Sequence, residues 1–170
     1  MNITIRNWKI TDASSLAAAL SNKNILNNLR DGLPYPYTEK DAEEYIDFIL
    51  NSNPNDTFAY AIDVDGRAVG SIGAFRQRNI HFRTAELGYY LSEEYWGRGI
   101  MTIAVKQICE KLFSETDILR IFAEPFENNA GSRRVLENAG FQLEGILKNN
   151  AFKNGKVSNM ALYSYTRNSI

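Results

Sequence analysis

Three places in this sequence hold residues whose types and spacing could do chemistry. Gly97 and Gly99, one residue apart, lead directly into Ile100-Met101-Thr102. Glycines at the start of a helix leave several main-chain N–H groups uncovered, and the helix dipole favours negative charge there, so the turn reads as a phosphate cradle. Upstream, Glu86 shares a strand face with Gly88 and Tyr90. A carboxylate in such a position either accepts a proton from a reacting group or makes a structural hydrogen bond. Downstream, Asn129 and Ser132 stand at the start of a short helical stretch, where asparagine is a favoured cap. Two other residues are weaker candidates. His81, the single histidine, suits proton transfer by its ordinary pKa, but it lies in a polar link with Arg78 and Arg83 and reads as a surface residue. Cys109, the single cysteine, excludes an internal disulfide and reads as core packing rather than a nucleophile.

The elements that would position these groups follow from periodicity. Thr84 to Leu91 alternates, with Ala85, Leu87, Tyr89 and Leu91 on one face, as a strand requires. After the glycine turn, Ile100, Ile103, Ala104, Ile108, Cys109, Leu112 and Phe113 recur at helical steps, while Lys106, Gln107, Glu110 and Lys111 take the opposite side. Leu119, Ile121 and Ala123 predict a strand parallel to 84–91 through that helical crossover. Asn128 to Gly140 predicts a modest helix with Val135, Leu136 and Ala139 inward and Arg133, Arg134 and Glu137 outward.

Elsewhere, Ile3 to Trp8 predicts a first strand, and Thr11 a helix cap. Two short helical pieces break around Ser21–Asn24, and a proline-rich segment, Leu33-Pro-Tyr-Pro-Tyr37, follows. Thr38 and Asp41 predict a capping box for the next helix. Asp65-Gly66 and Asn154-Gly155 read as tight turns, the first of the favoured two-residue hairpin type, and Gly70 and Gly73 mark close packing or a bulge. The order of elements predicts an α/β fold, with a mixed sheet in one domain over residues 1–170.

Composition narrows the function classes. The chain has 170 residues, 44% apolar and 23% charged, with a formal net charge of −1. That fits one ordinary globular domain with a proper core. No basic excess points to nucleic acid, no cysteine-rich metal site exists, and no long apolar run suggests a signal peptide or membrane span, so a cytoplasmic location is expected. A dinucleotide fingerprint would come early and carry a third glycine where Thr102 stands, and no Gly-Lys-Ser/Thr occurs, so two common phosphate loops are excluded.

The stretch Trp96-Gly-Arg-Gly-Ile-Met101 resembles the cofactor motif Gln/Arg-x-x-Gly-x-Gly/Ala of the GNAT superfamily of acetyl-CoA-dependent N-acyltransferases. Trp96 takes the first position, Gly99 the glycine and Met101 the last, where a small residue is usual. Further segments are similar, in the same order, to the RimJ/RimL-like branch. They are Leu33-Pro-Tyr-Pro-Tyr-Thr38 with Asp41-Ala42, Glu86-Leu-Gly-Tyr-Tyr-Leu91, Asn129-Ala-Gly-Ser132 with Gly140-Phe141, and Asn154-Gly155 with Tyr163.

The resemblance implies a GNAT-like fold: a mixed, mostly antiparallel sheet flanked by helices, whose splayed parallel strand pair holds acyl-CoA. A bulge is expected near Tyr89 to Leu91, where Tyr90 and Leu91 would meet the pantetheine arm and one N–H would polarise the thioester. The pyrophosphate would sit on Gly97, Arg98, Gly99, Ile100, Met101 and Thr102, with Asn129 and Ser132 also at the cofactor. Ser132 would assist the leaving thiolate, since Leu136 replaces the tyrosine acid of many relatives, and Glu86 would serve as base. Tyr35, Tyr37 and Tyr89, with Tyr90, would wall the acceptor pocket. Ala151 before Phe152, and Asn159, depart from the branch pattern.

The expected activity is transfer of acetyl from acetyl-CoA to a primary amine by direct attack, with a peptide or protein N-terminus as leading acceptor. A small amine such as an antibiotic, polyamine or amino acid, or a non-catalytic acyl-CoA-binding regulator, are the alternatives. No metal, nucleic acid or membrane partner is expected, and the chain is expected to be a monomer or homodimer.

Overall fold

The computed structural model of the chain describes residues 1–167. The elements in chain order are β1 (Ile3–Arg6), a 3-10 turn (Ile10–Asp12), α1 (Ala13–Leu20), α2 (Lys23–Leu26), α3 (Glu39–Leu50), β2 (Thr57–Val64), β3 (Arg67–Arg76), β4 (Thr84–Leu91), α4 (Ile100–Glu115), β5 (Arg120–Ala123), α5 (Ala130–Asn138), β6 (Gln142–Lys153) and β7 (Lys156–Thr166). The strands form one seven-stranded sheet in the order β1-β2-β3-β4-β5-β7-β6. Every neighbouring pair is antiparallel except β4 and β5.

Local chemistry accounts for much of this. Asp65 and Gly66 both take positive φ, at 51° and 92°, between paired Val64 and Arg67, and Asn154 and Gly155 do the same between Lys153 and Lys156. Turns of this hand match the twist of the flanking strands. The Thr38 side chain accepts the Asp41 N–H while Asp41 accepts the Thr38 N–H, which starts α3. The bulge marked by the β3 glycines falls where Ile62 pairs with Gly70 and Asp63 with Ala68, leaving Val69 as the additional residue.

Apolar side chains bury on both faces. On one, Ile100, Ala104, Ile108 and Leu112 of α4 pack with Ala85, Leu87 and Leu91 of β4, Ile121 of β5 and Leu136 of α5. On the other, Leu16 of α1, Ile25 of α2, and Ala42 and Ile46 of α3 enclose Trp8 and Tyr37. Ile103, expected on the α4 stripe, is exposed, and Val105 is buried instead. Gln107, expected on the solvent side of α4, accepts the Ile5 N–H at 2.9 Å and donates to the Ile3 carbonyl at 2.9 Å. It satisfies main-chain groups on the outer edge of β1, which no strand among the described residues covers.

Thr11 does not cap α1. The Asp12 carboxylate closes that turn, accepting the Lys9 N–H at 2.9 Å and two hydrogen bonds from Arg6 at 2.8 and 3.0 Å, while Arg6 also binds Asp63 at 2.7 Å. A carboxylate offers two charged oxygens, enough for an amide and both ends of a guanidinium at once, where a threonine hydroxyl has one neutral oxygen. Burial by itself would raise the Asp12 carboxyl, but the Arg6 and Lys9 partners hold it below the usual range.

The feature that positions the site lies between β4 and β5. They pair only over Thr84–Glu86 and Arg120–Phe122. Beyond Ala123 the chain no longer pairs with β4 and follows β7 alone. The Pro125 carbonyl accepts from Ala161 at 2.9 Å and the Glu127 N–H donates to Asn159 at 3.0 Å, so this stretch stays with β7. No register shift occurs in β4, which pairs with β3 without interruption from Ala85 to Leu91. The expected bulge near Tyr89 to Leu91 is therefore absent. The strands diverge because β5 leaves, not because β4 is distorted.

Candidate active site

The divergence opens a cleft of about 830 Å³ bordered by Glu86–Leu91, Tyr95–Thr102 and Ala123–Phe126, with Asn129 from the cap of α5, Ser132 and Arg134 from α5 itself, and Ile25, Leu29 and Arg30 from the α2 region. Strand alternation places Tyr89 on the α4 and α5 face, whereas Glu86, Gly88 and Tyr90 lie on the α1 and α3 face. The cleft is bordered by residues of both faces, so it passes through the sheet at the split.

The turn at one end is built from Gly97 and Gly99, whose φ values are 72° and 75°. L side chains rarely adopt that left-handed conformation. Trp96 anchors the turn by donating its indole N–H to the Leu91 carbonyl at 2.8 Å. Arg98 lies over the Tyr95 ring, 5.5 Å from its centroid. Gly99 precedes α4, and Met101, the departure from a small residue, buries its side chain in the core beneath. The first turn of a helix leaves its amides without intrahelical acceptors. Among the described residues, no main-chain acceptor or capping side chain meets the amides from Gly97 to Thr102. A Cβ built on Gly97 or Gly99 would meet nothing within 4 Å, so no neighbouring group crowds the turn at these two positions. Beyond Glu86, the edge of β4 facing β5 also has no strand partner among the described residues. Bare amides, two nearby guanidinium groups at Arg98 and Arg134, and a free strand edge fit a diphosphate carrying an extended amide-bearing arm.

On the α5 face, Asn129 caps its helix by accepting the Ser132 N–H at 3.1 Å. The Ser132 hydroxyl lies 2.8 Å from the Tyr89 hydroxyl, which is also 3.3 Å from the Ser132 carbonyl. Burial pushes the Tyr89 phenol well above its ordinary value, so it stays protonated. Either hydroxyl of this pair can be the donor; in the arrangement where Tyr89 donates, Ser132 keeps its own proton to donate into the cleft. Leu136, behind it, is wholly buried.

On the opposite face Glu86 pairs with Arg30, which reaches over from the segment after α2. That segment is tied down by Lys153, whose ammonium lies 2.9 Å from Asp31, and by Asn154, 3.3 Å from Asn27. Nearby stands Glu124, which the sequence reading overlooked. Burial, then the negative charge of Glu86, push its carboxyl above the ordinary range, with Arg30 partly opposing them. Two carboxylates share one opening, and the raised proton affinity of Glu124 is what a proton acceptor needs. Glu124 sits in coil between Ala123 and Pro125, outside any periodic pattern. Its signal was its place at the carboxyl end of a parallel strand, where ligands gather in sheets of this kind. Arg134, placed outward by helical periodicity, also borders the cleft.

The cleft thus brings together Glu86, Tyr89, Tyr90, Leu91, Gly97 to Thr102, Asn129 and Ser132. Tyr35 and Tyr37 lie elsewhere. Tyr37 is 5% exposed in the α1 and α3 core, where burial and neighbouring Asp41 push its phenol up to about 12, and Tyr35 is exposed with Lys23 over its ring. Asn159 bonds to Glu127 at 2.8 Å. His81 is exposed in the link before β4. Cys109 is buried under α4, where burial raises its thiol to about 12, so it is packing. Among the described residues no group of three or more potential metal ligands occurs, and no helix is long and apolar enough to cross a membrane.

Comparison with known proteins agrees with this geometry. YjcK of Bacillus subtilis, a probable N-acetyltransferase, is 41% identical over 91 residues, which cover 54% of this chain and 50% of YjcK. The ribosomal-protein-serine acetyltransferase of Escherichia coli is 32% identical over 82 residues, 48% of this chain and 46% of that protein. The chain therefore spans about half the length of these curated relatives. RimJ of Mycobacterium smegmatis, solved in complex with CoA-disulfide, superposes with a TM-score of 0.86 at 22% identity, covering 96% of this chain and 81% of that one. The acetyltransferase (GNAT) domain model matches residues 2–142, which takes in the glycine turn, the split strands and the Asn129–Ser132 cap, and the chain therefore belongs to the GNAT acetyltransferase family.

Proposed function

We propose that this chain is an acetyl-CoA-dependent N-acetyltransferase that acts on a primary amine, with a peptide or protein N-terminus as the leading acceptor. The observation that carries the reading is the through-sheet cleft. Unsatisfied amides and Ser132 lie toward one face, and two carboxylates toward the other. The resemblance to ribosomal-protein acetyltransferases supports the acceptor class.

Acetyl-CoA, when bound, supplies an acyl group activated as a thioester. The amides of Gly97 to Thr102 and the guanidinium of Arg98 hold its diphosphate, and the free edge of β4 aligns the arm so that the acyl end lies in the split. The acceptor approaches from the Glu86 face. Glu124 takes a proton from the amine, aided by its raised proton affinity, and Glu86 helps orient the ammonium before that transfer. Ser132, held by Asn129 and supplied with a hydrogen bond by Tyr89, donates to the departing sulfur. Cys109, buried and outside the cleft, is not placed to carry the acyl group.

The test pairs calorimetric titration of acetyl-CoA with a free-thiol release assay over N-terminally free peptides and small amines. Binding with acceptor-dependent thiol release is expected. Binding without release from any acceptor would make the chain an acyl-CoA-binding regulator, and absence of binding would overturn the cofactor assignment.

A further inference from the structure

Gly88 lies in the middle of β4 on the Glu86 face, and nothing in the fold requires a glycine there. Its φ is not positive, and a Cβ added to it would meet no atom within 4 Å. Glycine weakens a strand interior, so a glycine without a packing or torsional cause is a concession to something outside the fold. The space above it is part of the cleft. Across β3, Gly88 pairs with Gly73, and the Phe75 ring folds back over that residue, its Cζ 3.2 Å from where a Gly73 Cβ would stand. Phe75 itself pairs with Glu86. Ile25 and Leu29 border the same space from the α2 side, and Tyr90 closes it toward the core. The result is a recess with a bare floor and Phe75, Ile25, Leu29 and Tyr90 as apolar walls, two residues along the strand from a carboxylate, with Asn24, Asn28 and Arg30 bordering the same cleft.

We propose that this recess receives the apolar group carried on the carbon beside the attacking amine, and that the missing side chain at Gly88 sets its depth. The inference rests on the acetyltransferase reading above and narrows its acceptor class. The preferred amine has an apolar neighbour, as the first residue of a peptide beginning with leucine or phenylalanine does, rather than a charged or heavily hydroxylated ring. The amine itself stays at Glu86 and Glu124, while its apolar neighbour lies on Phe75 and over Gly88. A valine at position 88 keeps the strand, because β-branched residues suit strands and the space is free, but it fills the recess.

Two measurements test this. In the first, wild type, Gly88→Ala and Gly88→Val are compared on hexapeptides that differ only in a first residue of glycine, leucine or phenylalanine, with acetyl-CoA affinity measured in parallel. Gly88→Val is expected to raise KM for the leucine and phenylalanine peptides by about tenfold or more, the scale of one misfitting methylene or two in an apolar pocket. The glycine peptide should shift by less than about threefold on the same scale, with Gly88→Ala intermediate and acetyl-CoA affinity within about twofold. Equal shifts for all three peptides, or none, would overturn the recess. Loss of acetyl-CoA binding by the wild type would instead overturn the acetyltransferase reading, so the two failures are distinct.

The second measurement does not depend on turnover. In Gly88→Cys the introduced thiol is labelled with benzyl or hydroxyethyl methanethiosulfonate, with Cys109 too buried to compete. A benzyl-to-hydroxyethyl rate ratio several times that on free cysteine supports an apolar recess, and a ratio equal to that on free cysteine, or an unreactive thiol, overturns it.

Discussion

Thr102→Glu separates the anion site from the fold because the two should respond with opposite sign. Thr102 lies in the first turn of α4, is half-buried, and borders the cleft beside the uncovered amides. In the free protein a carboxylate there complements the helix dipole and can accept an orphan amide, which should stabilise by about 0.3–1 kcal/mol. For a chain of this size that raises Tm by about 1–4 °C. In the complex the same carboxylate faces a diphosphate. At about 6 Å and an effective dielectric of about 40, each unit charge repels by about 1.4 kcal/mol, and two by about 2.8 kcal/mol, roughly a hundredfold in affinity. Thr102→Gln has the same length without the charge, and should stay within a few-fold of wild type. Calorimetric titration of coenzyme A at low and high salt, beside thermal melts, gives both quantities, and the loss should shrink as salt screens it. Unaltered affinity in Thr102→Glu, or an equal loss in Thr102→Gln, would refute the cradle. Gly99→Glu is the less informative variant, because φ of 75° adds about 1–2 kcal/mol of backbone strain to the same repulsion.

Ser132→Ala should lower turnover roughly ten- to a thousandfold with little change in acetyl-CoA affinity. Tyr89→Phe should lower it less, and adding it to Ser132→Ala should cost little more, since Tyr89 acts through that hydroxyl; additive losses would break the relay. Glu124→Gln should depress transfer strongly, most visibly as loss of the acid limb of the pH–rate profile. Its effect on stability has a defined sign: the folded carboxyl titrates above the ordinary 4.5, so ionised Glu124 disfavours the fold at neutral pH. The Gln variant should therefore melt higher than wild type at pH 7, and the difference should vanish below pH about 4.5; a lower melting temperature at pH 7 would contradict the assignment. Arg6→Ala leaves Asp12 and Asp63, both buried, without their shared cation. It should lower stability by about 3 kcal/mol, near the low end for breaking a buried pair, while leaving coenzyme A affinity at low temperature unchanged.

The parts of the fold that were legible in the sequence are those set by near neighbours along the chain. Alternation marked β4, helical spacing marked α4, and positive-φ residue types marked both tight turns. The cap at Thr38 and the glycine turn at residue 97 are likewise local. What escaped notice depends on residues far apart in the chain. Gln107 looked like a solvent residue because nothing in α4 shows that the unpaired edge of β1 lies beside it. Glu124 has no periodic context, and its significance appears only once the chain after β5 parts from β4 and leaves it at the split. Arg30 belongs to a turn-rich segment whose reach to Glu86 spans the cleft. Tyr35 and Tyr37 were grouped by residue type and neighbourhood, yet one is held in the α3 core and the other faces solvent. The resemblance supplied the role of Ser132, but only the geometry shows that Tyr89 stands behind it.

An opening with a mouth on each side of the sheet has a kinetic corollary. Neither reactant needs to queue behind the other, and neither product blocks the other's exit. Initial velocities measured over a grid of both concentrations should therefore give reciprocal plots that intersect, and the spent thiol carrier should inhibit competitively only against its acylated form.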